Sequence, residues 1–134
     1  MVMNMDENKS NTVCPIDKAV QLFNKKWNIQ IIRDLFFGKK HFSEFKDDKP
    51  DLSNKVLSNC LKDLEANGLI KKKILDSTPS STEYQLTEKG KSLNKVIYEL
   101  AIFTLEKCNY DDYENENTRN KIKNTFKATL NIDE

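Results

Sequence analysis

The segment at residues 56–73, VLSNCLKDLEANGLIKKK, constrains the fold of this chain more than any other. Leu57, Leu61 and Leu64 recur at the three- and four-residue spacing that defines one face of an α-helix. Gly68 ends the pattern, because glycine readily takes the left-handed conformation that follows a helix C-terminus. Three consecutive lysines come next, within residues of strand character. The sequence therefore predicts a short amphipathic helix with a polar outer face, followed directly by a basic strand.

The residues before this helix predict three further helices. Pro15 favours the start of the first, since its missing N–H would be unpaired at that position anyway. The second begins at about Trp27 and ends at Gly38. Ser43 is predicted to cap a short third helix, and Ser53 to cap the amphipathic helix itself. Two short helices joined by a tight polar connection form a helix-turn-helix pattern.

The second half of the chain predicts a β-hairpin and two more helices. Two segments with strand character are separated by a turn-rich loop at residues 76–81. Thr87 is predicted to cap one continuous long helix that ends at about Lys107, and a final helix is expected at about residues 118–130. The predicted strands cover residues 69–75 and 82–86. This order predicts a mainly α fold with a small β-hairpin wing: a winged helix-turn-helix with extra terminal dimerisation helices.

The long helix carries two apolar stripes, and a helix that is apolar on two sides needs two packing partners. The main stripe comprises Leu93, Val96, Ile97, Leu100 and Phe103. In a chain of 134 residues, the partner of the second stripe is expected to be another subunit. The final helix contributes a narrow stripe suited to helix packing. The dimer interface predicted from these patterns comprises Tyr98, Ile102, Leu105, Ile122 and Phe126.

Composition places the chain among cytoplasmic proteins with no membrane partner. Hydrophobic residues make up 37 % and charged residues 32 % of the chain, and no apolar run approaches the roughly 20 residues that span a membrane. The first twelve residues lack the apolar core of a signal peptide. Net charge is +1, so a nucleic-acid partner has to be argued from the distribution of charge. Residues 53–75 hold five lysines against two acidic residues, a pattern that also fits an ordinary solvated surface.

The domain organisation predicted from these features has three sections. Residues 1–13 are polar and are predicted to form a flexible tail. Residues 14–107 are predicted to form the winged helix-turn-helix domain, including the long helix. Residues 108–134 are predicted to form an acidic loop and a C-terminal dimerisation helix.

A series of short motifs, in a specific order, carries a family resemblance. The motifs are Cys14-Pro15, Lys26-Trp27, Phe42-Ser43-Glu44-Phe45, Leu52-Ser53, Gly68-Leu69-Ile70, Glu83-Tyr84 and Leu86-Thr87-Glu88-Lys89-Gly90. In these motifs the chain resembles the HxlR-type regulators, winged-helix transcription factors related to the MarR group. The resemblance implies a homodimer that binds a pseudo-palindromic operator with the amphipathic helix as its recognition helix. Two departures are Cys60, where a basic or polar residue is common, and the loop at residues 79–82, which lacks the usual basic residue.

Regulators of this kind lay the start of the recognition helix against base edges in the major groove. Asparagine can pair with adenine and lysine can donate to guanine, whereas lysines on a wing contact phosphates without reading sequence. The predicted base-contacting residues are Ser53, Asn54, Lys55, Ser58, Asn59 and Lys62. The predicted phosphate-contacting residues are Lys39, Lys40, His41, Lys71, Lys72 and Lys73. The alternative is a winged-helix module that binds protein without specific DNA binding, which would expose apolar residues on the same helix.

Cys14 is a candidate sensor of a small electrophile or oxidant. It precedes a helix, where the macrodipole favours the thiolate, and the resemblance implies that some family members sense such compounds through this position. The alternative is a small structural residue at a helix start. Three widely spaced cysteines without a CxxC pair, together with a single histidine, predict no disulfide framework, no zinc site and no cofactor. One histidine also leaves no catalytic constellation, so the chain is not expected to be an enzyme.

Overall fold

The computed structural model describes residues 2–3, 12–23, 25–75 and 81–133. The helices are α1 (Pro15–Leu22), α2 (Asn28–Phe36), α3 (Phe42–Lys46), α4 (Asn54–Ala66), α5 (Glu88–Lys91), α6 (Asn94–Lys107) and α7 (Glu116–Leu130). The strands are β1 (Val2–Met3), β2 (Thr12–Val13), β3 (Ile70–Leu75) and β4 (Ser81–Leu86). A 3₁₀ turn at Asp111–Tyr113 precedes α7. The mainly α fold with a two-stranded wing confirms the predicted fold class.

Both pairs of strands are antiparallel. In the wing, Ile70 lies opposite Leu86 and Leu75 lies opposite Ser81, which is the hairpin that the strand patterns predict. The predicted turn-rich loop falls mainly on residues 76–80, which lie outside the described residues. Within the predicted flexible tail, β1 pairs with β2, and residues 4–11 lie outside the described part of the chain.

The hydrophobic core lies between α2, α3, α4 and the base of the wing, and it extends to buried residues of α6 and α7. Its buried side chains include Ile31, Phe45, Leu57 and Ile70, each at most 2 % exposed. The leucines of α4 point into this core, as their spacing predicts, and the polar residues of the helix are left outside. The core therefore fixes which face of α4 remains available to a partner.

The two ends of α4 are set by local hydrogen bonds. The Ser53 hydroxyl accepts a hydrogen bond from the backbone N–H of Val56 at 3.1 Å, which confirms the predicted cap. Gly68 has a φ of 75°, in the left-handed region, and the next residue, Leu69, donates its N–H to the Leu64 carbonyl at 2.9 Å. These contacts satisfy backbone groups that a helix leaves unpaired at its ends.

The short helix α3 begins two residues earlier than the sequence indicates, at Phe42 with His41 at the cap. The Glu44 carboxylate accepts hydrogen bonds from the backbone N–H groups of Lys40 (3.0 Å) and His41 (2.8 Å). These two bonds, the one from Lys40 first, lower the pKa of Glu44. The prediction that Ser43 caps this helix is wrong, because Glu44 reaches back to the amides and places His41 at the cap.

The prediction of one continuous helix from Thr87 to Lys107 is also wrong. The Thr87 hydroxyl accepts a hydrogen bond from Gly90 N–H at 3.1 Å and starts α5, but a turn at residues 92–93 separates α5 from α6. Gly90 packs so closely on the base of the wing that an added Cβ would lie 2.1 Å from the Leu69 carbonyl oxygen. The chain therefore forms a short turn between α5, which packs on the base of the wing, and α6.

The helices α6 and α7 pack against each other and cover the stripe that was expected to contact another subunit. Tyr98 and Leu105 are buried within the chain, and Ile102, Ile122 and Phe126 are half-buried. Because α7 packs along α6, Tyr98 and Leu105 are covered within the chain, whereas Ile102, Ile122 and Phe126 keep part of their surface exposed, and the predicted dimer interface stays a prediction. The apolar side chains of α6 that remain exposed belong to the other stripe: Val96 (44 %), Leu100 (54 %) and Phe103 (61 %).

Candidate nucleic-acid interface

The outer face of α4 presents a row of polar side chains. Asn54, Lys55, Asn59 and Lys62 are exposed, and Ser58 is half-buried. Ser53 is exposed at the cap, and its hydroxyl keeps a proton to donate while its oxygen holds the helix start. The structure thus places all six predicted base-contacting residues on or beside one exposed helix face.

Two residues that the sequence patterns did not single out join this face. Lys46 of α3 donates a hydrogen bond through Nζ to Asn54 Oδ1, so a second cation lies at the start of α4. Val56 is 40 % exposed, at the edge of the polar face of α4. A branched apolar side chain beside these polar residues can contact a thymine methyl group.

The connection between α2 and α3 is fastened to strand β4 of the wing. Tyr84 N–H donates to the Lys40 carbonyl at 2.8 Å, and His41 Nδ1 donates to the Thr82 carbonyl at 3.1 Å. Glu83 Oε2 lies 3.2 Å from Lys40 Nζ and 3.7 Å from His41 Nε2. Lys40 and His41 therefore have partners within the chain, and their first role is to hold the wing against the helix-turn-helix.

A groove of about 460 Å³ runs between this connection and the wing. Lys39, Lys40 and Lys71 line it, together with Lys91 of α5, which the sequence patterns did not indicate. Lys72 and Lys73 are exposed elsewhere on β3. Of the predicted phosphate-contacting residues, the structure thus gathers three lysines around one groove and leaves Lys72 and Lys73 outside it.

Two ion pairs link α4, and the turn before it, to other parts of the domain. Lys25 Nζ donates to the Asp63 carboxylate, which raises the pKa of Lys25. Lys39 Nζ donates to Asp48 Oδ1 at 3.2 Å, in the turn before α4. The helix is consequently held at both its N-terminal approach and its second half.

The three cysteines differ in accessibility. Cys14 is half-buried at the N-cap of α1, where its carbonyl accepts a hydrogen bond from Lys18 N–H at 3.1 Å. Cys60 is fully buried in α4, and burial raises the pKa of its thiol. Cys108 is half-buried at the end of α6. All three are free thiols in this structure.

Apolar side chains are exposed on α1 as well as on α6. Ile16 is 68 % and Val20 54 % exposed, one helical turn apart on α1. These two side chains are therefore uncovered in the single chain. Within the described residues, none of the helices is both long enough and apolar enough to cross a membrane.

Comparison with known proteins relates the chain to a family of regulators. Residues 22–112 match the family described as HxlR-like helix-turn-helix. The chain is 39 % identical over 95 residues to YvaP of Bacillus subtilis (strain 168), an uncharacterized HTH-type transcriptional regulator, covering 70 % of this chain and 88 % of YvaP. It is 38 % identical over 103 residues to the HTH-type transcriptional regulator YodB of the same organism, covering 76 % of this chain and 92 % of YodB.

Solved structures resemble the fold to a similar extent. The reduced form of YodB from B. subtilis superposes with a TM-score of 0.63 at 38 % identity, over 71 % of this chain and 94 % of that one. The oxidized form of the redox regulator HypR gives a TM-score of 0.66 at 28 % identity, over 73 % of this chain and 99 % of that one. The winged helix-turn-helix architecture is thus shared with transcriptional regulators over most of both chains.

Proposed function

Because the chain belongs to the HxlR-like helix-turn-helix family of transcriptional regulators, which are not enzymes, we propose that it binds a pseudo-palindromic DNA operator as a homodimer. The observation that carries the proposal is the outer face of α4. Its Asn, Lys and Ser side chains are exposed, while a buried leucine stripe and a capped N-terminus fix the helix in place. A fixed helix with a polar face is what reading of base edges requires.

In this proposal, the start of α4 enters the major groove. Asn54 and Asn59 can each pair with adenine, and Lys55 and Lys62 can donate to guanine. Ser53 and Ser58 complete the set of proposed base contacts. The phosphate backbone contacts two groups of lysines and His41. The first group lines the groove between the wing and the α2–α3 connection: Lys39, Lys40, Lys71 and Lys91. The second group is Lys72 and Lys73 of β3. Those contacts set the orientation of the protein on the duplex without reading its sequence.

The second subunit is proposed to dock on the exposed apolar stripe of α6. Val96, Leu100 and Phe103 stand at helical spacing on one face, and leaving them in water forfeits the free energy that burial would release. Ile16 and Val20 of α1 offer a second exposed apolar pair. A symmetric pair of chains presents two recognition helices, which suits half-sites separated by about one helical turn, ~34 Å.

A response to electrophiles or oxidants through Cys14 is proposed as the regulatory input. Cys14 is more accessible than the fully buried Cys60, and it stands at a helix N-terminus. HypR is named a redox regulator and is solved in an oxidized form. With N-ethylmaleimide as the probe, the Cys14 thiolate would form a C–S bond to one alkene carbon while the other takes a proton from water. Alkylation is expected to weaken DNA binding by the wild-type protein and to leave a Cys14→Ser variant unaffected.

A protein-binding winged helix remains the competing reading, and it makes a different prediction for α4. Such a helix would expose several apolar side chains. In α4 the structure leaves one large apolar side chain exposed, that of Val56. The decisive experiment is selection from a random duplex library of about 30 base pairs, followed by footprinting on the selected sequence. We expect two protected half-sites and an affinity that falls linearly with salt on logarithmic axes. Failure to enrich any sequence would contradict the proposal.

A further inference from the structure

A buried ion pair joins α2 to the turn that precedes α4. Lys49 is 3 % exposed and Asp34 is 4 % exposed. Lys49 Nζ contacts three acceptors: a carboxylate oxygen of Asp34, the carbonyl of Phe45 at 3.0 Å and Asp48 Oδ1 at 2.9 Å. An ammonium group has three N–H donors, so each of them has an acceptor here.

The carboxylate of Asp34 is equally well satisfied. Oδ2 accepts from Lys49, and Oδ1 accepts from Nε (3.2 Å) and Nη2 (2.9 Å) of Arg33. Asp48 extends the network to the surface, where Lys39 contacts the same carboxylate oxygen as Lys49. One set of charged groups therefore connects α2, the end of α3 and the turn at Asp48 and Lys49.

Stability alone does not account for this arrangement. Removing two charges from water is costly, and a well-packed apolar pair of similar volume is often as stable as a buried ion pair or more so. What the ion pair adds is a defined geometry between the elements that it joins. Three hydrogen bonds from one ammonium fix its position relative to three elements at once, whereas an apolar contact would let the turn slide.

The turn that Lys49 anchors leads straight into the recognition helix. Lys49 N–H donates to the Lys46 carbonyl, and Leu52 N–H donates to the Lys49 carbonyl, each at 3.0 Å. Leu52 is buried, and the next residue, Ser53, caps α4. A displacement of Lys49 would therefore be passed through one short, tightly bonded turn to the residues that face DNA.

We propose that the Lys49–Asp34 ion pair positions the N-terminus of α4 for base reading, which makes Lys49 a positioning residue that itself touches no base. The inference rests on the proposed function. Base contacts demand placement to within about 0.5 Å, whereas long lysine side chains can follow phosphates through a larger shift. Loss of the pair should therefore reduce discrimination between sequences more than it reduces binding to DNA in general.

The test replaces both charges in the full chain with apolar side chains, as Asp34→Leu with Lys49→Met. Two duplexes of about 30 base pairs serve as probes: the sequence that wild-type protein selects from a random library, and a shuffled version of it. We expect a melting temperature within about 5 °C of wild type and unchanged affinity for the shuffled duplex. Affinity for the selected duplex should fall about tenfold or more, the equivalent of one base contact.

A matched control removes the Lys25–Asp63 pair, which is exposed and attached to the second half of α4, as Lys25→Met with Asp63→Asn. That variant should keep full discrimination. If the Asp34→Leu, Lys49→Met protein does not fold, the Asp48→Asn variant serves as the test instead. Its side chain is 58 % exposed, and the substitution removes the negative charge of one of the three acceptors, so it should lower the ratio of selected to shuffled affinity with only the modest fall in melting temperature that loss of this ion pair implies.

The inference is overturned if the ratio of selected to shuffled affinity is unchanged in the folded double variant. If Asp48→Asn serves as the test, an unchanged ratio in that variant overturns it. Equal losses on both duplexes overturn it too, since they indicate a purely structural role. A wild-type protein that binds the two duplexes equally is a separate result, because it refutes the proposed function and the positioning role with it.

Discussion

Ser53 is expected to have two separable roles, and two substitutions at this position should separate them. Ser53→Ala removes the hydroxyl that accepts a hydrogen bond from Val56 N–H at 3.1 Å. Loss of a serine N-cap costs about 1 kcal/mol in the free energy of unfolding. For a chain of this size that corresponds to a fall of roughly 3–5 °C in melting temperature, measured at fixed protein concentration.

Ser53→Asp keeps an acceptor at the cap and adds a negative charge near the positive end of the helix. Stability should stay level or rise by about 0.3–1 kcal/mol. DNA binding should move the other way, because the proposed base contact brings the new carboxylate into the groove, where the nearest phosphates repel it. Two like charges about 6 Å apart repel by ~0.7 kcal/mol in water and by ~2.8 kcal/mol at an effective dielectric constant of 20. We therefore expect affinity for the selected duplex to fall roughly 3- to 100-fold in a fluorescence anisotropy titration.

Asn115→Ala provides the matched control. The Asn115 side chain caps α7, accepting hydrogen bonds from Asn117 N–H (2.7 Å) and Thr118 N–H (3.3 Å), and it belongs to no part of the proposed DNA interface. Its loss should lower the melting temperature about as much as Ser53→Ala does, with no change in DNA affinity. A Ser53→Asp protein that binds the selected duplex as tightly as wild type would contradict the proposed placement of Ser53 against DNA.

Three further substitutions test other parts of the structure. Leu100→Glu places a charge on a side chain that is 54 % exposed, so it should yield folded monomers by light scattering, and a dimeric variant would contradict the proposed interface. Gly90→Ala should destabilise the fold by about 1–3 kcal/mol or more in urea titration, since its Cβ would lie 2.1 Å from the Leu69 carbonyl oxygen; wild-type stability would refute this. The pKa of Asp48 is lowered from 3.8 to about 2, chiefly by the hydrogen bond from Lys49, so its carboxylate stabilises the fold above about pH 4 and that contribution is lost towards pH 2. Asp48→Asn should therefore lose less stability than wild type over that interval, and parallel curves would contradict the assignment.

The features that the sequence predicts well are local ones. The boundaries of α4 follow from a capping serine, a leucine stripe and a glycine, all within about four turns of one helix. The wing follows in the same way from two strand patterns on either side of a turn-rich loop. Such signals are read from neighbouring residues and need no knowledge of the rest of the fold.

The features that the sequence does not predict depend on distant parts of the chain. Lys49 and Asp34 are 15 residues apart, and no local pattern indicates that folding buries them as a pair. Lys40 looked free to contact phosphate, but the carboxylate of Glu83 on the wing lies 3.2 Å from it. The packing of α6 is a further example. Its sequence shows two apolar stripes but does not indicate which of them α7 covers.

The most direct test of the account is the affinity of two α4 variants, Asn54→Ala and Lys55→Ala, for the selected duplex. Both side chains are exposed at the start of the helix, so melting temperatures should match wild type within about 2 °C. Glu65→Ala, exposed in the last turn of the same helix, is the control and should bind as wild type does. If α4 reads DNA, each of the first two variants loses about 1–3 kcal/mol of binding free energy, or roughly 5- to 150-fold in affinity. Wild-type affinity in both would contradict the central claim that the start of this helix contacts the bases.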